Sequence, residues 1–153
     1  MSMTMQGEVV LNEEKTKVWD LLNDPEILKL CIPGCETVEK TSDNTYRAVV
    51  KVKLGPVSAR FKGNVELSPG SEPDTYDITG QGDGGIVGRA KGSAKITLQE
   101  EESTTRLGYD VSAQVTGRMM QMGARLINSV MRKLADEFFN NFAAYLAEKA
   151  PTA

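Results

Sequence analysis

From Glu36 to Thr116 the apolar residues of this 153-residue chain recur at every second position, and from Arg118 to about Glu148 at every third or fourth. A period of two belongs to half-buried antiparallel strands and a period of 3.6 to an amphipathic helix. The chain therefore divides into a run of strands followed by one long helix. Tyr46, Ala48, Val50, Val52 and Leu54 alternate with Arg47, Lys51 and Lys53, and the run from Val57 to Leu67 alternates in the same way. Gly55-Pro56 joins these two strands, Ser68–Ser71 closes the second, and Asp83-Gly84 marks a hairpin. In the helix, Met120, Gly123, Ile127, Met131, Leu134, Phe138, Phe142 and Tyr145 share one face. At ~1.5 Å per residue it would run roughly 46 Å, enough to cross a sheet of about seven strands.

Ahead of these elements, Met3, Met5, Gly7 and Val9 predict a first strand. Asn12 is expected to cap a helix with Glu13 and Glu14 in its first turn, and Val18, Trp19, Leu21 and Leu22 form its apolar side. Asp24 and Pro25 have the residue types of an N-cap and first position of a second short helix, which Pro33-Gly34 ends. The expected architecture is α+β: a curved antiparallel sheet of about seven strands wrapped around a long C-terminal helix, with two short helices after the first strand. One domain over residues 1–149 accounts for the length, followed by a short tail at 150–153.

Composition removes several functions. The sequence contains no histidine, so the commonest general base is absent, and no Gly-x-Ser-x-Gly nucleophile turn occurs. Cys31 and Cys35 alone are two ligands short of a tetrahedral zinc site. No metal or cofactor is expected. A net charge of −3 argues against nucleic-acid binding. Gly80–Gly85 matches G-x-G-x-x-G, yet strand periodicity on both sides makes it a hairpin rather than a dinucleotide loop. The start of the sequence has neither a basic nor an apolar leader, so a cytoplasmic location is expected. Tyr46, Tyr76 and Tyr109 are the only polar tips expected inside. They could be core residues, orient a ligand carbonyl, or act as an acid in a cyclase-like reaction.

One strand stands apart. Gly88, Ala90, Gly92 and Ala94 occupy alternate positions, so one face carries almost no bulk where the long helix should lie. Either the helix packs closely there or a cavity remains for an apolar ligand. The expected lining is Phe61, Ala90, Gly92, Ala94, Tyr109, Val111, Met120, Ile127, Met131 and Leu134, an apolar set with pliable methionines. The interrupted segment 23–36 is the expected gate, with Pro25, Ile32, Pro33 and Gly34 at the entrance. Lys51, Lys53, Arg60, Lys62, Arg89 and Lys91 fall on the outer face and could be either a solvated surface or a docking patch for an acidic partner or anionic lipid.

Asn23-Asp24-Pro25-Glu26 followed by Ile32-Pro33-Gly34-Cys35 resembles the carbon-monoxide dehydrogenase G-subunit family of the START-like (SRPBCC) helix-grip superfamily. Gly55–Gly63, the glycine segment through Gly92, Gly123–Ile127 and Leu134–Phe139 carry the same resemblance. It implies a helix-grip fold, a cavity for a hydrophobic ligand, and an accessory role for a molybdenum hydroxylase of the carbon-monoxide dehydrogenase type at the cytoplasmic membrane. It implies no catalytic residue. Longer members of that family continue to an apolar tail, whereas this sequence ends at Ala150-Pro151-Thr152-Ala153, which leaves intrinsic membrane anchoring open. The expected function is binding of an apolar ligand, an isoprenoid quinone or other lipid, without catalysis by this chain. The alternatives are a docking subunit with a closed core and a START-like cyclase.

Overall fold

The computed structural model describes residues 2–70 and 73–149, so the expected tail at 150–153 and Ser71 of the expected turn lie outside the described residues. The period-two runs become β1 (Ser2–Leu11), β2 (Cys35–Lys40), β3 (Thr45–Leu54), β4 (Val57–Pro69), β5 (Thr75–Asp83), β6 (Arg89–Glu101) and β7 (Thr104–Val115). They form one antiparallel sheet in the order β1-β7-β6-β5-β4-β3-β2. Strands adjacent in sequence pair with one another from β2 to β7, and β1 closes the far edge against β7. The alternation of inward and outward residues follows the sequence period in β1 and from β3 to β7, while in β2 a register shift between Cys35 and Thr37 interrupts it.

Two short helices, α1 (Lys15–Leu22) and α2 (Pro25–Cys31), follow β1. The Asp24 carboxylate accepts the Glu26 N–H at 2.9 Å and Pro25 begins α2, as the residue types predict. The expected Asn12 cap of α1 is replaced. The helix starts at Lys15, with Glu14 at the cap position making no side-chain bond, and Asn12 is exposed. Its chain entry is a tight turn in which the Glu13 N–H meets the Leu11 carbonyl at 2.9 Å, and the Thr105 hydroxyl donates to the Glu13 carbonyl at 2.7 Å. Those bonds hold residues 12–14 outside the helix.

The single expected C-terminal helix is two helices, α3 (Arg118–Gln121) and α4 (Ala124–Lys149). Gly123 sits between them at φ +92°, in the left-handed region that a side chain would strain. The break rotates the first turn, so Met119 is buried and Met120, expected inside, is 44% exposed. Gly88 also departs from expectation. It is not in β6 but closes a 3-10 turn at Gly85–Val87, with φ +117° and a position where a Cβ would collide with the Thr116 carbonyl.

The interior holds two apolar clusters. One gathers Leu11, Val18, Leu98, Leu107, Phe142 and Leu146. The other gathers Met3, Leu54, Val87, Val115, Met119 and Ile127. Ile127 and Phe142 lie toward opposite ends of α4, which thus spans both clusters. Between the clusters the register sets Gly80 beside Gly92 and Gly92 beside Ala113, so the small residues form a row across three strands.

Candidate ligand cavity

A cavity of about 250 Å³ lies beside the first cluster, under the corner formed by α1 and α2. Trp19 and Leu22 reach it from α1, Leu28 and Ile32 from α2, and Phe138 and Phe139 from α4. The sheet supplies Val38, Tyr46, Ala48, Val65 and Leu67 from β2 to β4, and Ile78, Ile96 and Leu107 from β5 to β7. These strand residues meet because the inward positions of neighbouring strands stand side by side. No polar atom is exposed on the walls. A charged or heavily hydroxylated guest would lose its hydration there without compensation, whereas hydrocarbon loses nothing.

The roof is tied down by directed contacts. The Tyr46 hydroxyl, at the end of a ring that forms part of the wall, donates to the Asn23 carbonyl at 2.8 Å. Burial and the nearby Asp24 carboxylate push the Tyr46 pKa upward, so the phenol remains protonated and available as this donor. Trp19 stacks on Tyr76 with ring centroids 3.6 Å apart, and the Asn141 side-chain amide donates to the Cys31 carbonyl at 2.9 Å. Phe138 and Phe139 stand nearly perpendicular at 5.1 Å, which lets two consecutive residues both face the cavity from one helix. Burial raises the thiol pKa of Cys31 and of Cys35, whose Sγ donates to the Thr37 carbonyl at 3.4 Å.

The ten residues expected to line a cavity lie elsewhere. Phe61, Ala90, Ile127 and Met131 pack in the second cluster, and Ala94, Tyr109 and Val111 pack in the first. Gly92 belongs to the small row, Met120 is turned outward, and Leu134 borders a separate hollow of about 150 Å³ with Pro33 and Lys53. None borders the 250 Å³ space. Tyr109 reaches instead across β1, where Gly7 leaves room for its ring, and its hydroxyl accepts from Arg132 at 3.0 Å. Of the four expected entrance residues, Ile32 lines the cavity and Pro25 is half-buried at the start of α2. Pro33 and Gly34 border the separate hollow, and the Gly34 carbonyl accepts the Lys51 N–H at 2.9 Å, pinning that turn to β3. Trp19 and the Phe138-Phe139 doublet were the sequence signals that could have located the cavity.

Lys51, Lys53, Arg60, Lys62, Arg89 and Lys91 are all exposed on the outer face of the sheet, but they do not form an unbroken positive field. Arg60 makes a bidentate pair with Glu36, with Nη2 to Oε2 at 3.0 Å. Asp83 sits in register between Arg89 and Lys62 and lies 3.6 Å from Arg89. Hydrogen bonding to Arg60 holds the Glu36 carboxyl below its ordinary pKa. Among the described residues no helix is long and apolar enough to cross a membrane.

The model of the family described as the carbon monoxide dehydrogenase G subunit (CoxG) matches residues 7–147. No curated protein sequence matches the chain. Among solved structures, a conserved protein from Geobacillus kaustophilus is 27% identical with a TM-score of 0.86, covering 95% of this chain and 96% of that one. A START superfamily protein from Mycobacterium smegmatis superposes with a TM-score of 0.72 at 10% identity, over 96% of this chain and 99% of its own. The Zhui aromatase/cyclase of a Streptomyces species gives a TM-score of 0.72 at 11% identity, over 99% and 98%. At such identities the last two speak for the fold alone, the helix-grip arrangement of the START-like superfamily.

Proposed function

Because the chain belongs to the carbon monoxide dehydrogenase G-subunit (CoxG) family, we propose that it is a non-catalytic carrier of an apolar ligand serving a molybdenum hydroxylase of the carbon-monoxide dehydrogenase type. The family and the fold fit a ligand-binding accessory protein. The observation that carries the finer reading is the cavity under α1 and α2, with walls that expose only carbon. Its volume of about 250 Å³ is below the ~300–1,000 Å³ of a site that swallows a drug-sized molecule. It takes a ring or a short length of chain, and a longer molecule must extend through an opened roof. The hydrocarbon of an isoprenoid quinone or another lipid suits the interior, and its polar end belongs at the mouth. A quinone further suits an accessory to a redox enzyme, since it accepts electrons and resides in the membrane. On this reading the protein works in the cytoplasm and at the inner membrane face.

Solvent extraction of the protein as purified from its cells, followed by mass spectrometry, tests the proposal. About one apolar molecule per chain is expected. Preparations that repeatedly yield none, together with failure of added quinone or lipid to raise the melting temperature, refute the carrier and favour a docking subunit with a closed core. Co-purification with the molybdenum enzyme tests the partner separately.

A further inference from the structure

The antiparallel order sends the β3–β4 turn, the 3-10 turn before β6 and the α3 segment to the same end of the molecule. These segments, 55–57, 84–88 and 116–123, contain no acidic residue. They do expose large apolar side chains: Ile86 is 80% exposed, Met120 44% and Val57 40%. The exposure of Ile86 is built in. Its turn is fixed by the Gly84 N–H to Gly88 carbonyl bond at 2.8 Å and by the Asp83 carboxylate accepting the Gly85 N–H at 2.9 Å. Val87 is drawn into the second cluster while its neighbour Ile86 is left pointing away. Gly117 is pressed against Gly88, which sets α3 beside that turn.

Charge is sorted between the two ends. Lys53, Arg118 and Arg125 lie on the segments at or next to the apolar tip and are exposed, while Arg89 beside them is paired with Asp83 at 3.6 Å. The connections at the far end carry Glu13, Glu14, Asp43, Asp74 and Glu102, of which Asp74 is paired with Lys15 at 2.8 Å and Glu13 with Lys17 at 3.6 Å. After these pairs are set aside, Lys53, Arg118 and Arg125 leave the apolar tip positive, and Glu14, Asp43 and Glu102 leave the opposite end negative, within a net charge of −3. Near an anionic surface such a distribution orients the protein tip first, and repulsion of the far end disfavours the reverse approach. Apolar side chains on a rigid turn, ringed by cations, have the chemistry of an interfacial contact: hydrocarbon enters the acyl boundary while arginines meet lipid phosphates.

We propose that this tip docks the protein on an anionic lipid bilayer, with Ile86 and Met120 inserted and Arg118 and Arg125 in the headgroup layer. The inference extends the accessory reading to a specific membrane contact, yet it does not require the cavity to be filled. Flotation with vesicles of phosphatidylcholine containing about one third phosphatidylglycerol tests it, against vesicles of phosphatidylcholine alone. Binding is expected only to the anionic vesicles, and it should weaken as salt rises. Ile86→Asp and the double variant Arg118→Glu/Arg125→Glu should each lower partitioning about tenfold or more, with unchanged melting temperature since all three side chains are solvent-exposed. Lys62→Glu/Lys91→Glu, on the mid-sheet face, should have the smaller effect. Absence of vesicle binding at low salt, equal binding by Ile86→Asp, or a greater loss in the mid-sheet variant overturns the proposal. Each of these outcomes leaves the lipid-extraction result untouched, so failure of the tip and failure of the carrier reading are separately visible.

Discussion

Replacing Ala48 by leucine should stabilise the ligand-free protein, the reverse of what the same change does in a packed interior. Ala48 faces the cavity from the middle of β3. The cavity of about 250 Å³ has room for the carbons that leucine would add. Leucine adds three carbons, worth ~0.8 kcal/mol each on burial, less about 0.5–1 kcal/mol for fixing its rotamer. The net gain is about 1.5 kcal/mol, equivalent to a rise in melting temperature of ~3–6 °C for a chain of this size. Ala94→Leu supplies the contrast, because Ala94 packs against the first cluster without bordering the cavity. It should cost ~1–3 kcal/mol by overpacking. Urea denaturation of both variants after lipid extraction measures the difference, and uptake of added lipid should fall in Ala48→Leu. If Ala48→Leu destabilises as much as Ala94→Leu does, the space is closed in solution and the reasoning fails.

Three further perturbations follow from individual contacts. Tyr46→Phe removes the bond to the Asn23 carbonyl, worth ~0.5–1.5 kcal/mol; hydrogen exchange in residues 23–32 should quicken by up to about tenfold while α4 around Phe142 keeps its protection, and uniform quickening would argue against a separately opening roof. Gly7→Ala would drive a Cβ into the Tyr109 hydroxyl, so the ring must leave Arg132; destabilisation of ~1–3 kcal/mol is expected by denaturant titration, and a change within ~0.3 kcal/mol would show that Tyr109 yields freely. Glu36 has its carboxyl pKa lowered by Arg60, so its contribution is present at neutral pH and disappears as pH falls through the lowered value. Glu36→Gln should therefore be less stable than wild type at pH 7 and converge with it below the ordinary carboxylate range near 4.5. A gap that persists at pH 2 would assign the effect to something other than ionisation.

The fold was legible because the two periods hardly mix. Every strand from β3 to β7 keeps its alternation over nine residues or more, so one face of the sheet is fixed wherever its core neighbours are fixed. The errors fall where a backbone bond or a glycine overrides side-chain pattern. Helical periodicity continues smoothly through Met120 and Gly123, and nothing in it reveals that Gly123 turns left-handed and swings Met120 outward. At Asn12 the residue type suits a cap, but Thr105, ninety-two positions away from Glu13, engages the Glu13 carbonyl. Such a partner is invisible along the chain.

The cavity was harder to place than to anticipate. Small side chains suggest space, yet Gly80, Gly92 and Ala113 stand next to one another in the sheet, so the register gathers them into a row between the two clusters. The void opens instead where large residues fail to meet. Trp19 is held on Tyr76, Phe139 is stacked on Tyr109 at 5.3 Å, and Tyr46 is drawn toward Asn23. These three rings are engaged with partners to the side, which draws them away from the space beside Ala48. A cavity kept open by its own walls' other contacts leaves no mark in hydropathy. It depends on long-range pairings, and those same pairings mark which bonds must loosen when a guest enters.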